Sequence, residues 1–350
     1  MASSLFVLGL MAGCILLLRW AWFALPQGEW QMVAALPVAR RTAHSWQGLN
    51  LTYYGVWTAT AVASAFAMFC ILLGSLGVSV ETAAVLGAIL LAVCIPAAKG
   101  LAHVIEGKAY VFTVGGASFV GFLIAPTVIW GWGHPGAGGP GGPLPLLPTL
   151  AALAIAYAFG EGIGRLACIS FGCCYGKPLT ICSPVVRRLF GTRAFRFASP
   201  TQKAVYQAGL VGEPLVPIQG VTAGVCLGAG VLAIIFFLAG WFHAAFATAA
   251  LVTQCWRVAS EWLRADIPHQ WMFSVYQTMA AINALYALAL GAMLPAVESA
   301  LPDIVLGLQG LWHPAVILLV EALWALVFLY TGRSMVTAST LSFDVVKDRI

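Results

Sequence analysis

Apolar stretches about twenty residues long follow one another along nearly the whole chain, and they constrain its fold more than any other feature. A bilayer core about 30 Å thick needs roughly twenty helical residues to cross it, whereas a water-soluble core has no use for so many such runs. Of 350 residues, 61% are hydrophobic and only 8% charged, where a soluble domain carries about 25%. The chain therefore reads as an all-α polytopic integral membrane protein. Nine runs can be drawn, at 5–25, 53–74, 83–105, 110–132, 150–171, 217–239, 243–263, 272–294 and 314–330. No basic residue precedes the first run and no clean small-residue cleavage site follows it, so it is expected to be a span rather than a signal peptide.

The segments between the runs are read from their composition. Residues 133–148 are too dense in Gly and Pro to be helical. Residues 172–216 hold six of the seventeen Lys and Arg (Lys177, Arg187, Arg188, Arg193, Arg196, Lys203), in the one polar stretch long enough to fold as a small extramembrane cap. The tail after Arg333 is polar and expected to be loose. The formal charge of +5 sits mostly in loops and has no interleaved aromatic stripe. It argues for anchoring at a lipid surface and against nucleic acid as a partner.

Charges inside the runs are the functional candidates, because an ionisable side chain at membrane depth is expensive enough to need a reason. Glu161 and Arg165 are four apart and share a helix face. Arg257 and Glu261 repeat that spacing, with Arg264 one turn on. Two such pairs on different helices are expected to line one cavity and hold a phosphate, since a guanidinium fork matches phosphate oxygens. The alternative is that each arginine only partners its own carboxylate. Gly160, Gly162 and Gly164 clear one face for a second helix or a lipid headgroup. Lys99 and His103 form a further same-face pair, either meeting an anion or cavity or snorkelling to the interface. Five cysteines (Cys14, Cys70, Cys94, Cys226, Cys255) fall singly in apolar runs and read as packing residues. Cys168, Cys173, Cys174 and Cys182 cluster around the loop after 171 without a nearby His or Asp at zinc spacing. They are expected to be free thiols, with a disulfide as the alternative, and neither a metal nor a cofactor is expected.

Gly164-Arg165-Leu166-Ala167-Cys168 through Gly172-Cys173-Cys174-Tyr175-Gly176-Lys177-Pro178 resembles the signature of the bacterial prolipoprotein diacylglyceryl transferases and their GCCYG-type relatives. In the same order, Tyr53-Tyr54-Gly55 resembles the family's opening tyrosine motif. Val114-Gly115-Gly116-Ala117 resembles its HGGL stretch, Trp256-Arg257 through Glu261 to Arg264 its RFxxExxR helix, and Pro217-Ile218-Gln219 more weakly its HPxQLYE segment. The resemblance covers roughly residues 50–295. It implies a seven-helix transferase domain over 51–295, including the cap, with an added helix and loop at 1–50 and an added helix and tail at 296–350.

The implied enzyme sits in the bacterial inner membrane and moves diacylglyceryl from phosphatidylglycerol to an acceptor, such as the cysteine thiol of a lipoprotein precursor. By position, Tyr54, Arg165, Gly176 and Arg257 match residues the family needs, and Gly164, Lys177, Gly115, Gly116 and Gln219 lie in its lipid-binding motifs. Glu161, Glu261, Arg264 and Lys99 complete the expected binding set. The departures are specific. Val114 stands where the family has histidine, Cys168 and Cys173 where it has an asparagine and an acidic residue, and Val216 and Thr222 where it has histidine and glutamate. His103 is the candidate substitute base. Catalytic divergence to a lipid-binding or transport protein on the same scaffold is the alternative. The resemblance puts the signature loop outside, whereas the basic loops would make that side cytoplasmic by the positive-inside rule.

Overall fold

A computed structural model of the chain describes residues 1–107, 114–132, 144–266, 273–296 and 301–350. Lys108, the start of the fourth run at 110–113, most of the Gly/Pro linker and the start of the eighth run at Met272 lie outside the described residues. The fold is built on helices α1 (Ala2–Ala24), α2 (Tyr53–Gly74), α3 (Val80–Glu106), α4 (Val114–Trp132), α5 (Leu146–Phe171), α6 (Pro184–Phe190), α7 (Lys203–Ala208), α8 (Ile218–Leu238), α9 (Phe242–Glu261), α10 (Val275–Met293), α11 (Ile304–Leu311) and α12 (Pro314–Thr331). Eight of the described helices are long and apolar enough to cross a membrane: α1, α2, α3, α4, α5, α8, α10 and α12. The chain is thus a mostly helical, multi-pass membrane protein in its architecture. The 20-residue α9 is not among the eight; it carries His243, Gln254, Arg257 and Glu261.

Helix α5 is the hub, packed against α2, α8 and α9, while α12 lies on the far side of α2 and α10 on the far side of α9. It begins at Leu146, inside the stretch expected to be linker. Pro148 falls in its first turn, where a proline's missing N–H leaves no helical bond unmade. Small residues let the backbones approach, as in membrane bundles generally. Gly160 and Gly164 face Ala65 and Ala61 of α2, and Gly162 faces Leu227 of α8. Gly55 meets Gly332 at one end of α2, and Gly74 meets Gly307 of α11 at the other. The apolar core follows these contacts, with Leu72, Leu73, Ile155, Phe237 and Phe246 fully buried within it.

Two polar segments expected to be loops are instead ordered in one small sheet. Strands β1 (Met32–Arg40), β2 (Ser45–Thr52) and β3 (Ser339–Ser342) form an antiparallel sheet in the order β1, β2, β3. The tail is therefore not loose. Asn50 is the reason: buried, it donates to Thr337 Oγ1 at 3.0 Å and accepts from the Ser339 hydroxyl, while Ser334 N donates to the Asn50 carbonyl. The region 172–217 folds over the end of the bundle around Phe195, Phe197 and Leu215, which are fully buried with Tyr175. Trp22 of α1 packs edge-on against Phe195 with ring centroids 5.0 Å apart. The Ser170 hydroxyl donates to the Trp30 carbonyl, and Ser199 and Thr201 donate to Gln31 Oε1. The sheet, the 172–217 region and the tail thus gather at one end of the bundle.

Replacing Asn50 with Leu removes a buried amide that serves two hydroxyls, a loss of about 1–3 kcal/mol locally. Limited proteolysis of the purified variant is expected to cut after Arg333 markedly faster than in the parent, with the helical core left intact.

Candidate functional site

The site grows out of the C-terminal turns of α5. Glu161 and Arg165 pair across one turn, as their spacing requires. Arg257 of α9 reaches the same carboxylate, with Nη1 3.6 Å from Glu161 Oε1, and also donates to Tyr157 Oη at 3.3 Å. The side chains of Arg165, Arg257 and Glu161 are 14%, 16% and 6% exposed, so two guanidiniums share one nearly dry carboxylate. The expected Arg257 and Glu261 pair is not formed among the described residues, because Arg257 turns across to α5. Glu261 stays buried at 3% exposure with Oε1 unpaired. Arg264 turns away as well and grips Asp266 with two hydrogen bonds of 2.9 and 2.8 Å.

Glycine at 115 permits the convergence. A Cβ there would stand 2.9 Å from Arg257 Nη2 and 3.0 Å from a ring carbon of Tyr276. Gly116 is buried beside it. The expected GG motif therefore lies at the site and makes room for an arginine.

At the end of α5 the chain reverses. Gly172 takes φ of 69°, and Cys173 N returns to the Cys168 carbonyl at 3.1 Å, a left-handed helix ending that glycine adopts without strain. Cys174 is the one described non-glycine residue with positive φ, at 52°. Gln219 Nε2 donates to the Cys173 carbonyl at 2.9 Å and holds the turn from α8. The loop then runs between two neighbours. Lys177 N donates to the Leu263 carbonyl, Val216 N donates to the Lys177 carbonyl, and Gly176 bridges Arg264. A Cβ on Gly176 would collide with the Val216 carbonyl, so Gly176 is needed for backbone approach.

The reversal brings three thiols together, as sequence spacing did not foretell. The sulfurs of Cys168, Cys173 and Cys174 all lie within 4.8 Å of one another, and the Cys168 thiol donates to Cys174 Sγ at 3.9 Å. All nine cysteines are free. The Cys174 thiol is held well below the usual thiol range, first by hydrogen bonds from Cys168 and Cys173 and then by the Arg264 and Arg165 charges. Tyr54 of α2 stands at the same end of α5, its ring 5.8 Å from that of Phe171.

Three expected site residues fall elsewhere. Lys99 and His103 are exposed on α3, and the Lys99 ammonium lies 5.2 Å from the centre of the Tyr330 ring. No described hydrogen bond or ion pair joins either residue to the cluster, so the expectation of His103 as base has no geometry behind it among the described residues. Gly164 packs on Ala61, where an added Cβ would make an ordinary contact at 3.7 Å, and serves helix contact.

These two glycines separate by experiment. Gly176→Ala overpacks fixed backbone and is expected to lower stability by about 1–3 kcal/mol, read as an earlier thermal transition in detergent. Gly164→Ala is expected to stay within about 0.5 kcal/mol of the parent. A scan against protein-family models, a search of curated proteins and a search of solved structures each returned no match to this chain.

Proposed function

We propose that the chain is a phospholipid-dependent transferase, and the observation that carries this reading is the convergence of Arg165 and Arg257 on Glu161. Two cations fixed around one carboxylate form a preorganised anion site in a water-poor setting, where fixed charges act far more strongly than in bulk water. A phosphodiester entering between them takes a share of the guanidinium donors that Glu161 holds at rest. The acceptor thiolate attacks a glycerol carbon, the carbon to oxygen bond breaks, and its electron pair leaves with glycerol phosphate. Negative charge then gathers on the leaving phosphate, where the two forks stabilise it. The donor by this reading is phosphatidylglycerol, the acceptor a lipoprotein cysteine or another thiol, and the setting the bacterial inner membrane.

The reading also counts nine spans, with α9 the ninth. Helix α8 starts next to Val216, which bonds Lys177, and α9 ends next to Leu263, which bonds the same residue. A hairpin whose two ends meet at one residue cannot cross the membrane once. If α8 spans, α9 must return, with its polar residues sheltered by α5, α8 and α10. The 172–217 region is then a cap at the same membrane face as the sheet.

A second reading, lipid binding without transfer, is favoured by one observation. No described hydrogen bond or ion pair brings a histidine to the cluster, and Val114, at the position of the family's histidine, points outward at 44% exposure. The test is to supply purified protein with phosphatidylglycerol labelled in its headgroup glycerol and a cysteine-bearing lipoprotein-precursor peptide as the thiol acceptor, and to measure released glycerol phosphate. Arg165→Ala and Arg257→Ala are each expected to lower release by about 100-fold or more, with Arg257→Lys also impaired because it lacks the fork. Arg188→Ala, on the exposed surface, is expected to match the parent. Parental release from both alanine variants refutes the transferase, and retained lipid with no release from any form, the parent included, selects the second reading.

A further inference from the structure

The three thiols at the end of α5 have no part in the transfer chemistry above, yet they are the most concentrated set of soft ligands in the described chain. We propose that the sulfurs of Cys168, Cys173 and Cys174 form a three-coordinate binding site for a soft cation, monovalent copper. Three sulfurs each about 2.3 Å from one ion stand roughly 4 Å apart. The Cys168 and Cys174 sulfurs are 3.9 Å apart, and Cys173 Sγ lies within 4.8 Å of both. Only a small closing movement of Cys173 separates this arrangement from a coordination triangle.

The backbone around the sulfurs is built to hold them there. Cys174 occupies the left-handed region at φ 52°, uncommon for a residue with a Cβ and worth a functional explanation. Gly172 turns the chain so that Cys173 bonds back to Cys168, and Gln219 fixes the Cys173 carbonyl from another helix. The thiols are neither sealed nor fully exposed, which leaves a route of entry.

The ligand set selects the ion. Thiolates favour soft metals, monovalent copper and zinc foremost. Structural zinc takes four protein ligands, and among the described residues no fourth His, Cys, Asp or Glu joins the three. Monovalent copper is content with three sulfurs. Binding expels three thiol protons and leaves a copper tris-thiolate of charge −2 at an end of the bundle where Arg165 stands one turn before Cys168 on α5 and the Arg264 backbone bridges Gly176. The site stands apart from the transferase reading, and either can fail without the other.

The test uses the full-length, detergent-solubilised, reduced protein titrated with monovalent copper against a chromogenic copper chelator. One equivalent per chain is expected to be withheld from the chelator. Cys168→Ser and Cys173→Ser are each expected to weaken retention at least tenfold, while Cys182→Ser leaves it unchanged. Copper loading of the parent is also expected to shield Cys168, Cys173 and Cys174, but not Cys255, from alkylation as read by peptide mass spectrometry, which needs no variant to fold. No withheld equivalent, retention unchanged in the Cys168→Ser, Cys173→Ser double variant, or alkylation of the three thiols undiminished by copper would each overturn the site. So would tighter retention of zinc than of copper.

Discussion

One carboxylate carries the interior of this protein. Glu161 is the meeting point of α5 and α9, and without it two guanidiniums would stand unpaired in a membrane interior, where a lone charge is among the most expensive groups a fold can hold. The surrounding features follow from satisfying that arrangement. Gly115 on α4 leaves a hollow for the Arg257 head, Tyr157 supplies an acceptor for it, and the glycines of α5 bring α2 and α8 close enough to exclude lipid. Removing one partner of a buried ion cluster of this kind commonly costs about 3–5 kcal/mol, so the cluster holds α5 to α9. The same side chains that would bind a phosphate also keep two helices in register.

What the sequence made legible was whatever is local. The length and frequency of apolar runs announced a multi-pass helical protein, and the four-residue spacing of Glu161 and Arg165 announced their pairing, because one helical turn is all that pairing needs. The same rule misled at Arg257 and Glu261. Spacing says which side chains share a face, not which neighbour across the bundle outcompetes the one along the helix. Asn50 shows a different gap: its polar stretch lacks hydrophobic alternation, and its partners at Thr337 and Ser339 lie nearly three hundred residues away. The thiol cluster depended on two left-handed residues, Gly172 and Cys174. Glycine there was an ordinary helix-end signal, but positive φ at a cysteine has no sequence signature.

Several motif glycines and Gln219 turn out to shape the backbone. Gly176 admits the Val216 carbonyl, Gly115 admits a guanidinium, and Gln219 spends its amide on the Cys173 carbonyl. Cys168 and Cys173 form the reversal, and Val114 stands beside Gly115, which faces the Arg257 guanidinium.

The small sheet ties the order of synthesis to the finished shape. Its central strand, β2, emerges early, just ahead of α2, but the edge that pairs with β3 must wait until the chain through α12 has been made. During that interval the hairpin offers bare backbone donors and acceptors to any passing strand. Strand β3 thus acts as a clasp: it seals an adhesive edge, and it is tethered directly behind α12, which packs beside α2.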